Sequence, residues 1–315
     1  MNFSSISSSL NSLPLIYFIL AVIINIATSL ISAISYKLIL YMQKEDLKII
    51  NSFLILYMSQ FIGLFAPLKT GAIFGKPLIT RMMGGIPLVK SVFAVGLENF
   101  FSISWQVIML PILLMLIGED VLFNNIIYKI AIVVVFVVCI AIISYKYKWF
   151  IPRLLILKRF LPNRIKKIAI KFGLNEDAIN NFIASIPSYF SNKWFMILIA
   201  GLTILQMLFL PIFMALPLSF FNISISYFNI FTIYWISYIL GRLSFLPAGL
   251  GVKDITMGGL LLGIGIDGGT VVKIVILYRV LTFVPSLVVG GLIFLYYGHK
   301  YTYKRFFKKE FDGEY

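Results

Sequence analysis

The sequence predicts an all-α, polytopic membrane protein with seven long spans, two short broken or re-entrant segments and a two-fold internal repeat. Three observations carry this. Sixty per cent of the 315 residues are apolar and only 12% are charged, against roughly a quarter charged in an ordinary soluble domain. Several apolar runs reach the ~20 residues a helix needs to cross ~30 Å of hydrocarbon. They lack the period-two alternation of a membrane-spanning barrel. The third observation is self-similarity at an offset of 180 residues, set out below.

The first span is expected over 14–36, the second over 49–66, the third over 88–117 and the fourth over 126–144. The fifth covers 194–216, the sixth 229–246 and the seventh 268–297. No Lys or Arg precedes the first run, which is also too long for the apolar core of a cleaved signal. Two segments, "PLKTGAIFGKPLITRMMGGI" at 67–86 and "PAGLGVKDITMGGLLLGIGI" at 247–266, are long enough to cross. They carry too much Pro, Gly and charge to face lipid.

Sliding the chain by 180 residues sets Pro67 on Pro247, Gly71 on Gly251, Gly85 on Gly265 and Ile86 on Ile266. Phe65/Phe245, Val92/Val272, Val95/Val275 and Leu97/Leu277 match as well, giving eight identities over 33 ungapped positions. The same offset carries the first span onto the fifth, the second onto the sixth and the third onto the seventh. The expected organisation is a first repeat at 1–125 and a connecting span with a basic cytoplasmic loop at 126–193. A second repeat follows at 194–298, then a basic cytoplasmic tail at 299–315.

Charge orients these pieces. Lys37, Lys44 and Lys48 lie in the 37–48 loop, ten basic residues in 145–193, and Lys300, Lys304, Arg305, Lys308 and Lys309 in the tail. If both short segments cross, all 18 of these residues fall on one side; if both only dip in, they split 10:8. The positive-inside bias favours two crossings, with the N-terminus outside and the tail in the cytoplasm of a cell (plasma) membrane. The repeat is then inverted, with its pseudo-two-fold axis in the membrane plane; re-entrant segments would make it parallel. The net charge of +15 is thus accounted for by loops and anionic lipid rather than by nucleic acid. In the central loop, "IPRLLILKRFLPNRIKKIAIK" alternates apolar and basic clusters. It reads as helices lying on the inner leaflet, or as a docking surface for a cytoplasmic enzyme partner.

One cysteine, Cys139, and one histidine, His299, leave no basis for a metal site or a Ser-His or Cys-His nucleophile pair. No catalytic residue and no cofactor is expected, and no G-x-x-x-x-G-K-[ST] sequence offers an ATP site.

The short segments are the candidate site. Non-helical backbone inside a membrane is tolerated only where protein or a water-filled cavity surrounds it. Paired Pro/Gly-interrupted segments in two halves point to a transporter's binding site. Pro67 and Pro247 suit the first turn of half-helices. Gly71, Gly249 and Gly251 would let backbone approach a ligand, although small residues also serve plain helix packing. Lys69 and Lys253 supply positive charge, and Asp254 follows at once. Arg81, Lys90 and Arg242 sit near span ends and read first as snorkelling cations. Glu98 and Arg279 each lie about eleven residues, roughly 16 Å, into a long span. Being 181 residues apart, they are expected to approach each other as an ion pair or gate.

"LSFLPAGLGVKD" followed by Arg279, with "APLKTGAIFGKPL" and "GGIPLVKSVFAVGLENF" in the first half, resembles the lysylphosphatidylglycerol synthase/flippase transmembrane-domain family. The resemblance covers nearly the whole chain. Asp254 fits the carboxylate that usually follows the second-half glycine. Its first-half counterpart is absent, since Ala72 follows Gly71, and an acid-Arg pair is replaced by Glu98-Asn99. The aminoacyl-transfer domain is not expected in a chain with a 17-residue tail, so synthase activity is not carried over. The resemblance implies a transporter or flippase-like protein handling an anionic phospholipid or a polyprenyl-phosphate-linked substrate. Its phosphate would lie near Lys69, Lys253 and Arg279. A scaffold for a lipid- or glycan-modifying enzyme is the alternative. A lipid-linked transferase using Glu119 and Asp120 is a third reading.

Overall fold

A computed structural model describes residues 14–65, 70–116, 192–244, 246 and 249–311. Pro67, Lys69, Pro247, the predicted span 126–144, nearly all of the basic loop and the Glu119-Asp120 turn lie outside these residues. The described residues are helical throughout, without a strand: α1 Leu15–Met42, α2 Ile49–Phe65, α3 Thr70–Gly84, α4 Leu88–Leu116, α5 Lys193–Phe209, α6 Ile212–Phe220, α7 Tyr227–Leu243, α8 Val252–Gly263 and α9 Gly268–Phe311. Four stretches among them are long and apolar enough to cross a membrane: Leu15–Met42, Leu88–Met109, Lys193–Phe220 and Gly268–Tyr297.

Three boundaries depart from expectation. Helix α1 runs six residues past 36, because Leu38, Ile39 and Leu40 continue its apolar face and a single Lys37 can snorkel. Helix α9 continues without interruption into the basic tail. The predicted span 194–216 breaks into α5 and α6 at Pro211. Proline has no N–H for the carbonyl four residues back and its ring crowds that turn. The freed carbonyls find partners on α7: the Trp235 indole donates to the Met207 carbonyl at 3.2 Å and the Tyr227 hydroxyl donates to the Leu208 carbonyl. Trp235→Phe keeps most of the ring but orphans the Met207 carbonyl, so it should cost about 1 kcal/mol. Thermal unfolding in detergent measures this, and an unchanged midpoint would mean the carbonyl is satisfied another way.

The segment expected to be broken at 67–86 is a continuous helix from Thr70, with Pro77 inside it. Helix α3 folds back along α2. Gly75 faces Ile62 near the end of α2, whereas Gly84 and Ile86 reach Leu47 just before its start. Lys90, opening α4, pairs with Glu45 at 2.6 Å, so the 43–48 and 85–90 connections share one end of the bundle. In the second half the irregular backbone is real. Gly249 and Gly251 have φ of +66° and +82°, a region costly to any residue with a Cβ. A Cβ on Gly249 would also lie 3.0 Å from the Gly241 carbonyl oxygen of α7. Helix α9 is capped by the exposed Asp267, which accepts from the Gly269 and Thr270 amides at 2.8 and 3.2 Å. Hydrogen bonds from Thr270 and Gly269 hold its carboxyl below the ordinary value.

Two apolar clusters result. One joins Met214, Trp235, Met257, Leu261, Ile274 and Leu281; the other joins Tyr36, Ile39, Leu40, Ile55, Ile86 and Ala94. Helices α1 and α5–α6 run antiparallel between them: the Tyr41 and Phe195 rings meet at 5.8 Å, Gln206 donates to Ser32 at 2.7 Å, and Tyr17 meets Phe220 at 5.6 Å. Helix α1 is apolar on its outside, where Ile16, Ile19, Ile23, Ile26 and Leu30 are exposed. Its buried side carries Asn25, Thr28, Ser29, Ser32 and Ser35. Lipid can solvate the first set; the second needs a polar interior.

Candidate functional site

Among the described residues, the polar interior holds two buried lysines, one in each half. Lys76, on α3 one residue before Pro77, is 4% exposed. Its ammonium meets Glu98 Oε2 of α4 at 2.5 Å and lies 4.0 Å from the centre of the Tyr36 ring. The Tyr36 hydroxyl is in turn 2.8 Å from Thr80 Oγ1. Lys253, in the first turn of α8, is 8% exposed. It donates to the Tyr278 hydroxyl of α9. Its ammonium lies 4.8, 5.3 and 4.7 Å from the ring centres of Tyr234, Tyr238 and Tyr278, where the negative ring faces attract a cation.

Asp254 and Arg279 form a fork-to-fork pair: Arg279 Nε donates to Oδ1 at 2.6 Å and an η nitrogen to Oδ2 at 2.9 Å. Asp254 Oδ2 also accepts from the Gly251 amide at 3.0 Å. The start of α8, which a free anion could have capped, therefore already carries the protein's own carboxylate. The expected Glu98–Arg279 pair does not form. Glu98 is taken by Lys76 and Arg279 by Asp254, each partner lying on the short helix beside it. Arg242 does not snorkel outward either. It turns inward and donates at 3.2 Å to both Gln106 Oε1 and Asn99 Oδ1 of α4. Gly71 stands in the first turn of α3, Gly249 and Gly251 in the approach to α8. Lys90 keeps the span-end position expected of it.

Three adjoining cavities connect these groups. One, about 220 Å³, is lined by Lys76, Glu98, Asn99, Gln206 and Arg242. A second, about 200 Å³, is lined by Arg242, Lys253, Tyr278 and Arg279. A third, about 300 Å³, is lined by Asn25, Ser29, Gln60, Gln206, Tyr234 and Ser286. Arg242 borders the first two and Gln60 and Gln206 the first and third. Charged groups inside a bilayer are costly and persist where they serve a pathway or a ligand. Among the described residues, Lys76, Arg242, Lys253 and Arg279 border these cavities, with the carboxylate of Glu98 beside Lys76 and that of Asp254 paired to Arg279. The excess positive charge suits an anion.

Sequence reasoning missed the tyrosines and the α1 stripe. The signal was present: Asn25, Thr28, Ser29, Ser32 and Ser35 recur at helical spacing within an apolar run. Tyr234 and Tyr238 sit one turn apart on α7, but nothing in the sequence announces that Lys253 lies among them.

An apolar helical bundle with a charged, cavity-bearing interior and four helices long and apolar enough to cross a bilayer defines a polytopic membrane protein. The chain belongs to the family described as lysylphosphatidylglycerol synthase TM region, whose model matches residues 1–290. Membership ties it to membrane proteins of lipid modification or flipping. None of the curated proteins matches it.

Proposed function

We propose that this protein is a transporter or flippase-like protein that binds the head group of an anionic lipid in the chamber between two inverted halves. The lipid is a phospholipid or a polyprenyl-phosphate-linked molecule, its tails remaining in the bilayer. The single observation behind this is the chamber itself: among the described residues, four cations border it and two carboxylates pair with two of them, inside an apolar bundle. Its phosphate binds near Lys253 and Arg242, because Arg279 is already bidentate to Asp254.

The inverted repeat has its own support. Helices α1, α2, α3 and α4 begin at 15, 49, 70 and 88, and α5, α7, α8 and α9 at 193, 227, 252 and 268. The non-glycine left-handed residues Lys44 and Asn222 occupy matching turns, as do Gly85 and Gly265. Lys76 and Lys253 reach positions 98 and 278, which are 180 residues apart. The repeat mates α1 and α5–α6 are antiparallel, as inversion requires. The α2–α3 hairpin returns to the end where it began, which fits a crossing by segment 67–86. The topology that follows has seven long spans, two short crossing segments, the tail in the cytoplasm and the plasma membrane as the site.

The test is mass spectrometry of lipids that co-purify in mild detergent, wild type beside an Arg242→Gln/Lys253→Met variant. An anionic lipid enriched in the wild type should fall about tenfold or more in the variant, since each loss removes a charge-assisted hydrogen bond. Identical lipid profiles would sink the proposal and return attention to the scaffold reading. In that case deletion of the amphipathic loop should matter and the chamber should not.

A further inference from the structure

The third cavity differs in chemistry from the two it adjoins. Among the described residues, its lining carries no charged side chain. Amides and hydroxyls line it instead: Asn25, Thr28 and Ser29 of α1, Gln60 of α2, Gln206 of α5 and Ser286 of α9. Part of this set is fixed. Asn25 accepts from the Tyr57 hydroxyl at 2.6 Å and donates to Ser286 at 3.3 Å, and Gln206 donates to Ser32 at 2.7 Å. Gln60 stands apart: it borders two cavities and its amide has no hydrogen-bond partner among the described residues. An amide in a membrane interior wants two donors and two acceptors satisfied. A hydroxyl-rich group supplies both kinds from one surface.

We infer that the head group bound here is a phosphate ester of a neutral, hydroxyl-rich moiety, a polyol or a sugar, with the phosphate in the cationic cavities and the hydroxyls in the amide-lined one. This rests on the anionic-lipid reading above and sharpens its substrate class. A phosphate beside Arg242 and Lys253 directs its ester substituent past Tyr278 and Thr282, which border both the second and the third cavity. At about 300 Å³ the third cavity lies at the lower end of small-molecule sites. An aminoacylated, cationic head group would find no carboxylate there and would face an interior already rich in positive charge. A bare phosphate monoester would leave the amides empty.

The experiment uses the full chain in nanodiscs of phosphatidylcholine, with native mass spectrometry of retained lipid. The probes are phosphatidic acid, phosphatidylglycerol, a synthetic polyprenyl-phosphoryl hexose and lysyl-phosphatidylglycerol. Phosphatidylglycerol or the polyprenyl-phosphoryl hexose should be retained about tenfold over phosphatidic acid, the worth of one or two neutral hydrogen bonds. Whichever of the two is held names the lipid source. Gln60→Leu should abolish that preference, so that the favoured lipid is retained no better than phosphatidic acid in the same variant. Ser286→Ala, a milder change at another residue lining the same cavity, should weaken it in the same direction and guards against a folding defect in the first variant. Preferential retention of lysyl-phosphatidylglycerol overturns the inference. So does equal retention of all four lipids, although the anionic-lipid reading then stands. If none of them, phosphatidic acid included, is held above phosphatidylcholine, the anionic-lipid reading fails and this inference with it.

Discussion

Asp254→Asn is expected to destabilise the protein by on the order of 3 kcal/mol, because it leaves the Arg279 guanidinium inside the bundle without its counter-charge. The two side chains are only 24% and 21% exposed, so solvent recovers little of the loss. Arg279→Gln should be nearly as harmful, since it strands the carboxylate and also removes a clamp on the first turn of α8. The double variant Asp254→Asn/Arg279→Gln should recover most of the stability, as removing both charges also removes their desolvation cost. Thermal unfolding of the four proteins in detergent gives the coupling directly. If the double variant loses the sum of the single losses, the pair is not coupled. A swap of Glu98→Arg with Arg279→Glu should rescue nothing, because each residue already has another partner.

The second large effect falls on Lys76 and Glu98, and it should be asymmetric. The Lys76 side chain is 5% exposed and that of Glu98 23%. Glu98→Gln strands a cation with almost no access to water, again at a cost on the order of 3 kcal/mol. Lys76→Met strands a carboxylate that borders a cavity, where water and the nearby Arg242 can answer it, so its cost should be smaller. Lys76→Met/Glu98→Gln should be close to wild type in stability. The measurement is the same thermal series. Equal losses in the two single variants would mean that the difference in exposure does not govern the cost.

The helices were legible because apolar run length is a strong signal in a membrane protein, and the break at Pro211 was not. The segment 194–216 is apolar throughout, and proline is tolerated within such runs when neighbours satisfy the freed carbonyls. Whether they do depends on Trp235 and Tyr227, far along the chain. The charged residues were also visible as charges, but their pairing was not. Equivalent depth suggested Glu98 with Arg279, whereas contact between α3 and α4 and between α8 and α9 decides the matter locally. Arg242 sits at a span end, as its sequence position suggests, but points inward. Its direction is set by Asn99 and Gln106, two residues that read as ordinary polar interruptions of α4. The glycines of "PAGLGVKD" suggest room for a ligand, whereas the room at Gly249 is filled by Gly241 of α7.

That last contact has a mechanical meaning. Where side chains interdigitate, a displacement of one helix can be absorbed by rotamer changes in the next. Backbone seated on backbone has no such slack: Gly249 rests on the Gly241 carbonyl, and a Cβ on Gly241 would stand 2.7 Å from that of Lys253. The end of α7 and the first turn of α8 therefore travel as one rigid piece. Arg242, Lys253 and Asp254 all ride on it. A tilt of α7 carries two cations and a carboxylate together, and the Asp254–Arg279 fork is the joint at which that piece is hinged to α9.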